Sequence, residues 1–379
     1  MRRAVAFVFV LILVGALAAP LTTARPSWFC ERRPTHPSCA PATPTPSPTP
    51  TASPSPSPTP TPTPAPTPTP SPTPTPAPCP SSLQPLIDAA PSGGTVDLRG
   101  CTLPGPASIG KPLTLRNGTI TGQTTDRWAS LISISSDDVT VSDITFRGGG
   151  QVISVFGRNR VTIARNTFTD QIGSAISLWG EGRGSSLVTI SDNRITQTAT
   201  SGVSPIMGRG SESAEPCSVA NDRVAITGNV IDQGAGSLGW FGVELKCHTD
   251  TLIEGNTFTG GRALVSLPDN ATAMVRGNTF NLTGSAYWGV EVAHSRDVTV
   301  TGNTFYGDGP GGTDHAVSLN SNSYNTKVTI NTARDIRTLV DLGGDLTTIT
   351  DNCLTNVLRV TEFESSGTNT IVERNGACP

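Results

Sequence analysis

A unit of about eight residues recurs along most of this chain, and nothing else in the sequence restricts its fold as tightly. It runs Val139-Thr-Val-Ser-Asp-Ile-Thr-Phe146, Val161-Thr-Ile-Ala-Arg-Asn-Thr-Phe168, Val188-Thr-Ile-Ser-Asp-Asn-Arg-Ile195 and Val224-Ala-Ile-Thr-Gly-Asn-Val-Ile231. Shorter copies follow at Leu252–Phe258 and Met274–Phe280, a full one at Val298–Phe305, and degenerate ones near residues 328, 348 and 371. The shared asparagines are Asn166, Asn193, Asn229, Asn256, Asn278, Asn303, Asn352 and Asn375, spaced 22 to 36 residues apart except between Asn303 and Asn352, where a substituted repeat around Ala333 is accepted. A period of this size with alternating Val/Ile and Thr/Ser means one solenoid coil per repeat, with the apolar set turned inward. Each repeat enters and leaves in the same sense, so the strands must be parallel. No amphipathic helix follows them, which disfavours βαβ units and a leucine-rich horseshoe. The expected fold is an all-β parallel β-helix of roughly ten coils over residues 79–379, with Ser81 to Ala90 as a short helix sealing its N-terminal end.

The Val-Thr-Ile-x-x-Asn-x-Phe unit resembles the repeat of the pectate lyase-like superfamily of right-handed β-helices, and the resemblance covers roughly residues 95 to 379. It implies a right-handed helix. It does not imply one activity, because that superfamily contains lyases, hydrolases, epimerases, tailspikes and non-catalytic adhesins. The paired Asp and Gly-His-Gly turn of polygalacturonases are absent, as are the Arg-x-Pro and dense calcium-binding Asp features of pectate lyases. Asp314-His315 is similar to the Asp/His pairs of alginate-type epimerases. No family motif transfers residue by residue.

The rest of the chain reads as an export and spacing apparatus. Arg2 and Arg3, the apolar run Ala4 to Val14 and Ala16-Leu17-Ala18 predict a secretory signal over residues 1–18. A short segment (19–39) carrying Cys30 and Cys39 follows, then a Pro/Thr/Ser/Ala linker (40–78) of polyproline II character, which at about 3.1 Å per residue reaches on the order of 100 Å. Eight cysteines suit an oxidising compartment. Their distribution predicts local pairs: Cys30–Cys39, Cys79–Cys101, Cys217–Cys247 and Cys353–Cys378. With a net charge of -3 and no basic stripe, nucleic acid is not an expected partner, and no membrane attachment is expected after signal removal. The expected state is a monomer, secreted and either free or associated with the cell surface.

The repeated Asn and Phe are expected to be structural. Asn readily takes the left-handed turn conformation, and in register it can bond the coils above and below; the phenylalanines should stack inside. Candidate chemistry lies on a second strand of each coil, where an outward residue sits between two apolar ones: Ser133, Ser154, Ser177, Glu244, Ser266, Glu291, Ser318, Asp341 and, by the pattern Leu358-Arg359-Val360, Arg359. Glu244 and Glu291 are two coils apart, about 10 Å along one face. Side-chain tilt could bring their carboxyls to the ~6.5–9.5 Å of inverting glycoside hydrolysis. Lys246, expected to face with Glu244 and to neutralise it if the face is merely solvated, together with His248 and His315, offers bases for a lyase reading, which would also need Ca²⁺ or another cation. The hydrolase reading needs no cofactor. Trp240, Trp288, His294, Asp314, Asp341 and Arg359 are candidate substrate contacts, the tryptophans as platforms for sugar rings. The sequence therefore points to a polysaccharide or cell-surface glycan as partner, either cleaved or, on the rival reading, only bound by an adhesin-like solenoid.

Overall fold

The computed structural model describes residues 78–379 except 181, 198–201, 211–216, 235–240, 283–285, 321, 364–368 and 379. The expected signal, the Cys30/Cys39 segment, nearly all of the linker, and Trp240 lie outside the described residues. The rest is a parallel β-solenoid of about ten turns, built as two sheets of 22 and 11 strands. A typical coil gives the larger sheet two strands, as in Val161–Ala164 and Thr167–Thr169, and the smaller sheet one, as in Ile176–Trp179. Stacking is in register, so that like residues pile on like: Ile163, Ile190, Ile226 and Ile253 form one column. Such columns of Val, Ile and Leu are fully buried and make one continuous aliphatic core.

The expected phenylalanine stack is present. Phe146 and Phe168 lie 5.0 Å apart, Phe258 and Phe280 5.1 Å, and Phe280 and Phe305 4.8 Å, all nearly parallel. Ile195 and Ile231 bridge the gap between the two groups, and Ala333 continues the column. Each stacked pair contributes about 1 kcal/mol beyond its buried area.

Beside it runs an unbroken asparagine ladder. Each Oδ1 accepts from the backbone N–H and the side-chain amide of the asparagine one coil earlier, as Asn278 does from Asn256 at 2.8 and 3.0 Å. Each Nδ2 also donates to a carbonyl of the preceding coil, for instance Asn256 to Ile226 at 2.8 Å. The ladder passes through Asn331, the member hidden by the substituted repeat at Ala333. One expectation is corrected here. The left-handed residue is the one before each asparagine (Arg165, Asp192, Gly228, Gly255, Gly277, Gly302, Ile330, Asp351, Arg374), while the asparagines themselves are not left-handed. The corner is thus turned by the preceding residue, which leaves Asn free to spend both ends of its amide on neighbouring coils.

The N-terminal end is sealed by the helix Gln84–Ala89, as expected, with Leu83 and Ile87 buried in the core. Disulfides Cys79–Cys101, Cys217–Cys247 and Cys353–Cys378 are formed. No helix among the described residues is long and apolar enough to cross a membrane.

Candidate active site on the eleven-stranded sheet

The outward positions of the smaller sheet form a single column in register: Ser133, Ser154, Ser177, Met207, Glu244, Ser266, Glu291, Ser318, Asp341 and Glu362. One position is added to those expected from the sequence and one differs. The coil carrying Pro205 supplies Met207. At the far end the column continues through Glu362, because Arg359 pairs with Thr338 and so sits three residues off the column. Leu358 is 57% exposed, so the apolar flank that had placed Arg359 in the middle of an inward pair does not exist. Arg359 instead reaches Glu362 at 2.6 Å, and Arg337 and Thr338 hold the same carboxylate at 2.9 and 3.0 Å.

The column is not a uniformly solvated face. Ser154 and Ser177 are fully buried, and Gln151 closes over the first coils by accepting from both the Ser154 hydroxyl and the Trp179 indole N–H. Ser266, Ser318 and Asp341 are buried too, the last accepting a long bond from Ser318. Glu244 and Glu291 are the carboxylates that reach solvent without being clamped between arginines. The Glu244 side chain is 17% exposed; its Oε2 accepts from Ser204 at 3.0 Å and its Oε1 faces the Arg209 guanidinium at 3.4 Å. Glu291 is half-buried and faces neutral donors, the Ser266 hydroxyl at 2.5 Å on Oε2 and the Asn320 amide at 3.0 Å on Oε1. Ser266 stands between the two glutamates in register, so their backbones are two coils, about 10 Å, apart.

Around this pair the structure redistributes the other candidates. Lys246 is near the Glu244 coil edge, but its ammonium lies 3.6 Å from Asp269, and the cation on Glu244 is Arg209. Asp269 also receives His294 at 3.7 Å, so the coil edge carries a Lys246–Asp269–His294 cluster beside the Cys217–Cys247 disulfide. His248 does not face the sheet surface. It starts the strand His248–Glu254 of the larger sheet, is 1% exposed, and belongs to a second polar ladder of the turn (Ser185, Asn221, His248, Asn270, Ser295). Its Nδ1 engages the Lys246 carbonyl and its Nε2 the Asn221 amide, and burial pulls its pKa down to about 4. It is a neutral rung and not a solvent-facing base. Asp314 is likewise buried, packed so closely that a Cβ on Gly307 would lie 1.9 Å from its Oδ2. Burial raises its pKa, and it cannot touch a ligand on the outer face.

Trp288 and His315 do come together, as register neighbours on the strands that carry Glu291 and Ser318. Arg262 lies over the Trp288 ring at 5.6 Å and over Tyr287 at 5.8 Å, and the two rings are tilted by 51°. Tyr287 is 43% exposed. This aromatic edge with its cation, three residues before Glu291, is an amphipathic surface of the kind sugar rings use. Sequence reasoning missed Tyr287, Arg262, Arg209, Asp269 and Asn320. None sits in the repeat pattern, and each reaches the site from a coil edge whose position only the register reveals.

This geometry defines a class. The family model describing a right handed beta helix region matches residues 113–305, and the chain belongs to that family. No curated protein matches it. Among solved structures it is similar to PfbA, a surface adhesin of Streptococcus pneumoniae (16% identity, TM-score 0.51, covering 75% of this chain and 87% of that one). It is also similar to DFA-IIIase from Arthrobacter chlorophenolicus A6 without its lid (12% identity, TM-score 0.50, 76% and 86%) and to alginate lyase from Paenibacillus sp. str. FPU-7 (16%, 0.49, 78% and 96%). At these identities the likeness is one of fold.

Proposed function

We propose that this protein acts on an extracellular polysaccharide lying across the eleven-stranded sheet, and that Glu291 and Glu244 cleave it as the acid and base of an inverting glycoside hydrolysis. The observation that carries this reading is the pair itself: two solvent-reaching carboxylates on one column, two coils apart, in unlike surroundings. Glu244 faces the Arg209 guanidinium at 3.4 Å, and in this reading it is the base that takes a proton from water. Glu291 faces only an amide and a hydroxyl, and the Ser266 hydroxyl can turn from donor to acceptor when Glu291 carries a proton. Glu291 then protonates the glycosidic oxygen as the bond to the anomeric carbon breaks. Water, deprotonated by Glu244, attacks that carbon from the opposite side, so the new hemiacetal has inverted configuration. The Trp288/Tyr287 edge would hold the sugar beside Glu291.

A second reading, an adhesin-like glycan binder without chemistry, is favoured by one observation: every oxygen of both carboxylates already has a partner within the protein. The three disulfides support an oxidising, extracellular setting in either case. Incubating the full chain with neutral and acidic polysaccharides, while following reducing ends and unsaturated uronates, separates the readings. Reducing ends that vanish in Glu291→Gln and Glu244→Gln are expected. Unsaturated products would move the chemistry to a lyase, and binding without turnover would favour the adhesin.

A further inference from the structure

Two concavities lie away from the glutamate pair, on the first coils. A cleft of about 430 Å³ opens between residues 121–124, Arg147, Asp170 and Ile172, and a neighbouring one of about 250 Å³ shares Gln123 and Thr124 and extends to Ser130 and Leu131. The first volume is in the range of small-ligand sites.

Its polar lining is unspent. Arg147 and Asp170 are both exposed, and neither side chain has a hydrogen bond or an ion pair among the described residues, although they line the same cleft. An unpaired guanidinium and an unpaired carboxylate facing one space offer donors and acceptors together, and Gln123 adds an exposed amide. Gln123 and Thr124 of the wall begin the loop of residues 123–129, whose Ala129 lines the neighbouring cavity. That loop is fixed by close backbone contact. A Cβ on Gly150 would stand 2.3 Å from the Asp126 carbonyl oxygen, and one on Gly173 would stand 2.3 Å from that of Arg127, so both positions require glycine. The wall is therefore a packed element.

We propose that this cleft is a second saccharide-binding site, taking a neutral sugar unit. Asp170 would accept from, and Arg147 would donate to, adjacent hydroxyls, with the Gln123 amide beside them. Equal and opposite charges on the lining disfavour an anionic ring: a uronate carboxylate gains Arg147 but meets Asp170. The site is separate from the glutamates. The strand Ser130–Ile134, which borders the neighbouring cavity, is four strands from the strand carrying Glu244, about 19 Å along the solenoid axis. A long glycan could span both, but the inference stands without any cleavage at Glu244 and Glu291.

The test is isothermal titration calorimetry on the full chain in a Trp288→Ala/Glu291→Gln background, which silences the other site. The probes are hexasaccharides of β-1,4-glucan, β-1,4-mannan and β-1,4-xylan, with an α-1,4-galacturonan hexamer as the acidic comparison. At least one neutral probe should bind the background protein, and Arg147→Met and Asp170→Asn should each weaken it about tenfold or more. Asp170 has a φ of +62°, which Asn tolerates, so the second variant removes the charge without straining the turn. Absence of binding by all neutral probes, or binding indifferent to both substitutions, would overturn the proposal. Binding of galacturonan alone would overturn the neutral-sugar assignment.

Discussion

Replacing Asn256 with alanine tests whether the asparagine ladder holds the coils together. Its Oδ1 accepts from the Asn229 backbone N–H and Nδ2, both at 2.9 Å, and its Nδ2 donates to Ile226, Glu254 and Asn278. Alanine removes all five bonds. Asn229 Nδ2 keeps its bonds to Ile190 and Thr227, and Asn278 Oδ1 keeps the Asn256 N–H. The group stranded is chiefly the Asn229 N–H, in an interior where Asn229 is fully buried, whereas the Ile226 carbonyl stays in the strand ladder, where Thr227 pairs with Glu254. With about 1–3 kcal/mol for that unsatisfied group and about 1 kcal/mol for the other lost bonds, the expected loss is about 3 kcal/mol. Asn375 makes bonds of the same kind to Asn352, but it ends the ladder and is partly exposed, so water can replace its amide. Asn375→Ala should cost about 1 kcal/mol. Urea unfolding with disulfides intact, followed by circular dichroism and compared through midpoints at a shared slope, measures both. Equal losses for the two variants, or a loss below 1 kcal/mol for Asn256→Ala, would refute the claim that the ladder's worth lies in its burial.

Further outcomes follow from other positions. His248 has its pKa held near 4 in the fold against 6.5 when unfolded, so the unfolded chain gains a proton first as pH falls. Its contribution is complete above pH 6.5 and shrinks by about 3 kcal/mol as pH drops to 4; His248→Asn, which matches its ladder neighbours Asn221 and Asn270, should flatten that decline in a stability–pH series. Ile330 is a β-branched residue at φ +59°, 66% exposed, in a column otherwise filled by Gly, Asp and Arg. Ile330→Asn should raise stability by about 1 kcal/mol in the same urea assay. Asn320→Ala should lower turnover several-fold, because it removes the amide that holds the Glu291 carboxylate at 3.0 Å, while Thr332→Ala, on the opposite sheet, should leave turnover unchanged.

Much of the fold was legible because one physical rule is repeated coil after coil. Alternation told inward from outward, the asparagine spacing gave the coil length, and the even, locally grouped cysteines gave the three described disulfides. Asn331 escaped because Ala333 replaced the phenylalanine that marks the repeat. The left-handed corner was assigned one residue too late because Asn and the Gly or Asp before it both suit that conformation, and only the ladder shows which one needs a regular backbone. The site was less legible. Alternation fails at strand ends, where His248 turns into the interior and Arg359 falls out of register. The partners of Glu244 and Glu291 (Arg209, Ser204, Asn320) lie 29 to 40 residues away in sequence and meet them only through stacking.

The pairing of Glu291 as acid with Glu244 as base is tested most directly by the stereochemistry of the first product. Proton NMR of the anomeric signal, recorded within minutes of adding the full chain to whichever polysaccharide it turns over, should show the inverted anomer appearing before mutarotation. A retained anomer, an unsaturated terminus, or a polysaccharide that binds across the sheet and yields no product at all would contradict the account.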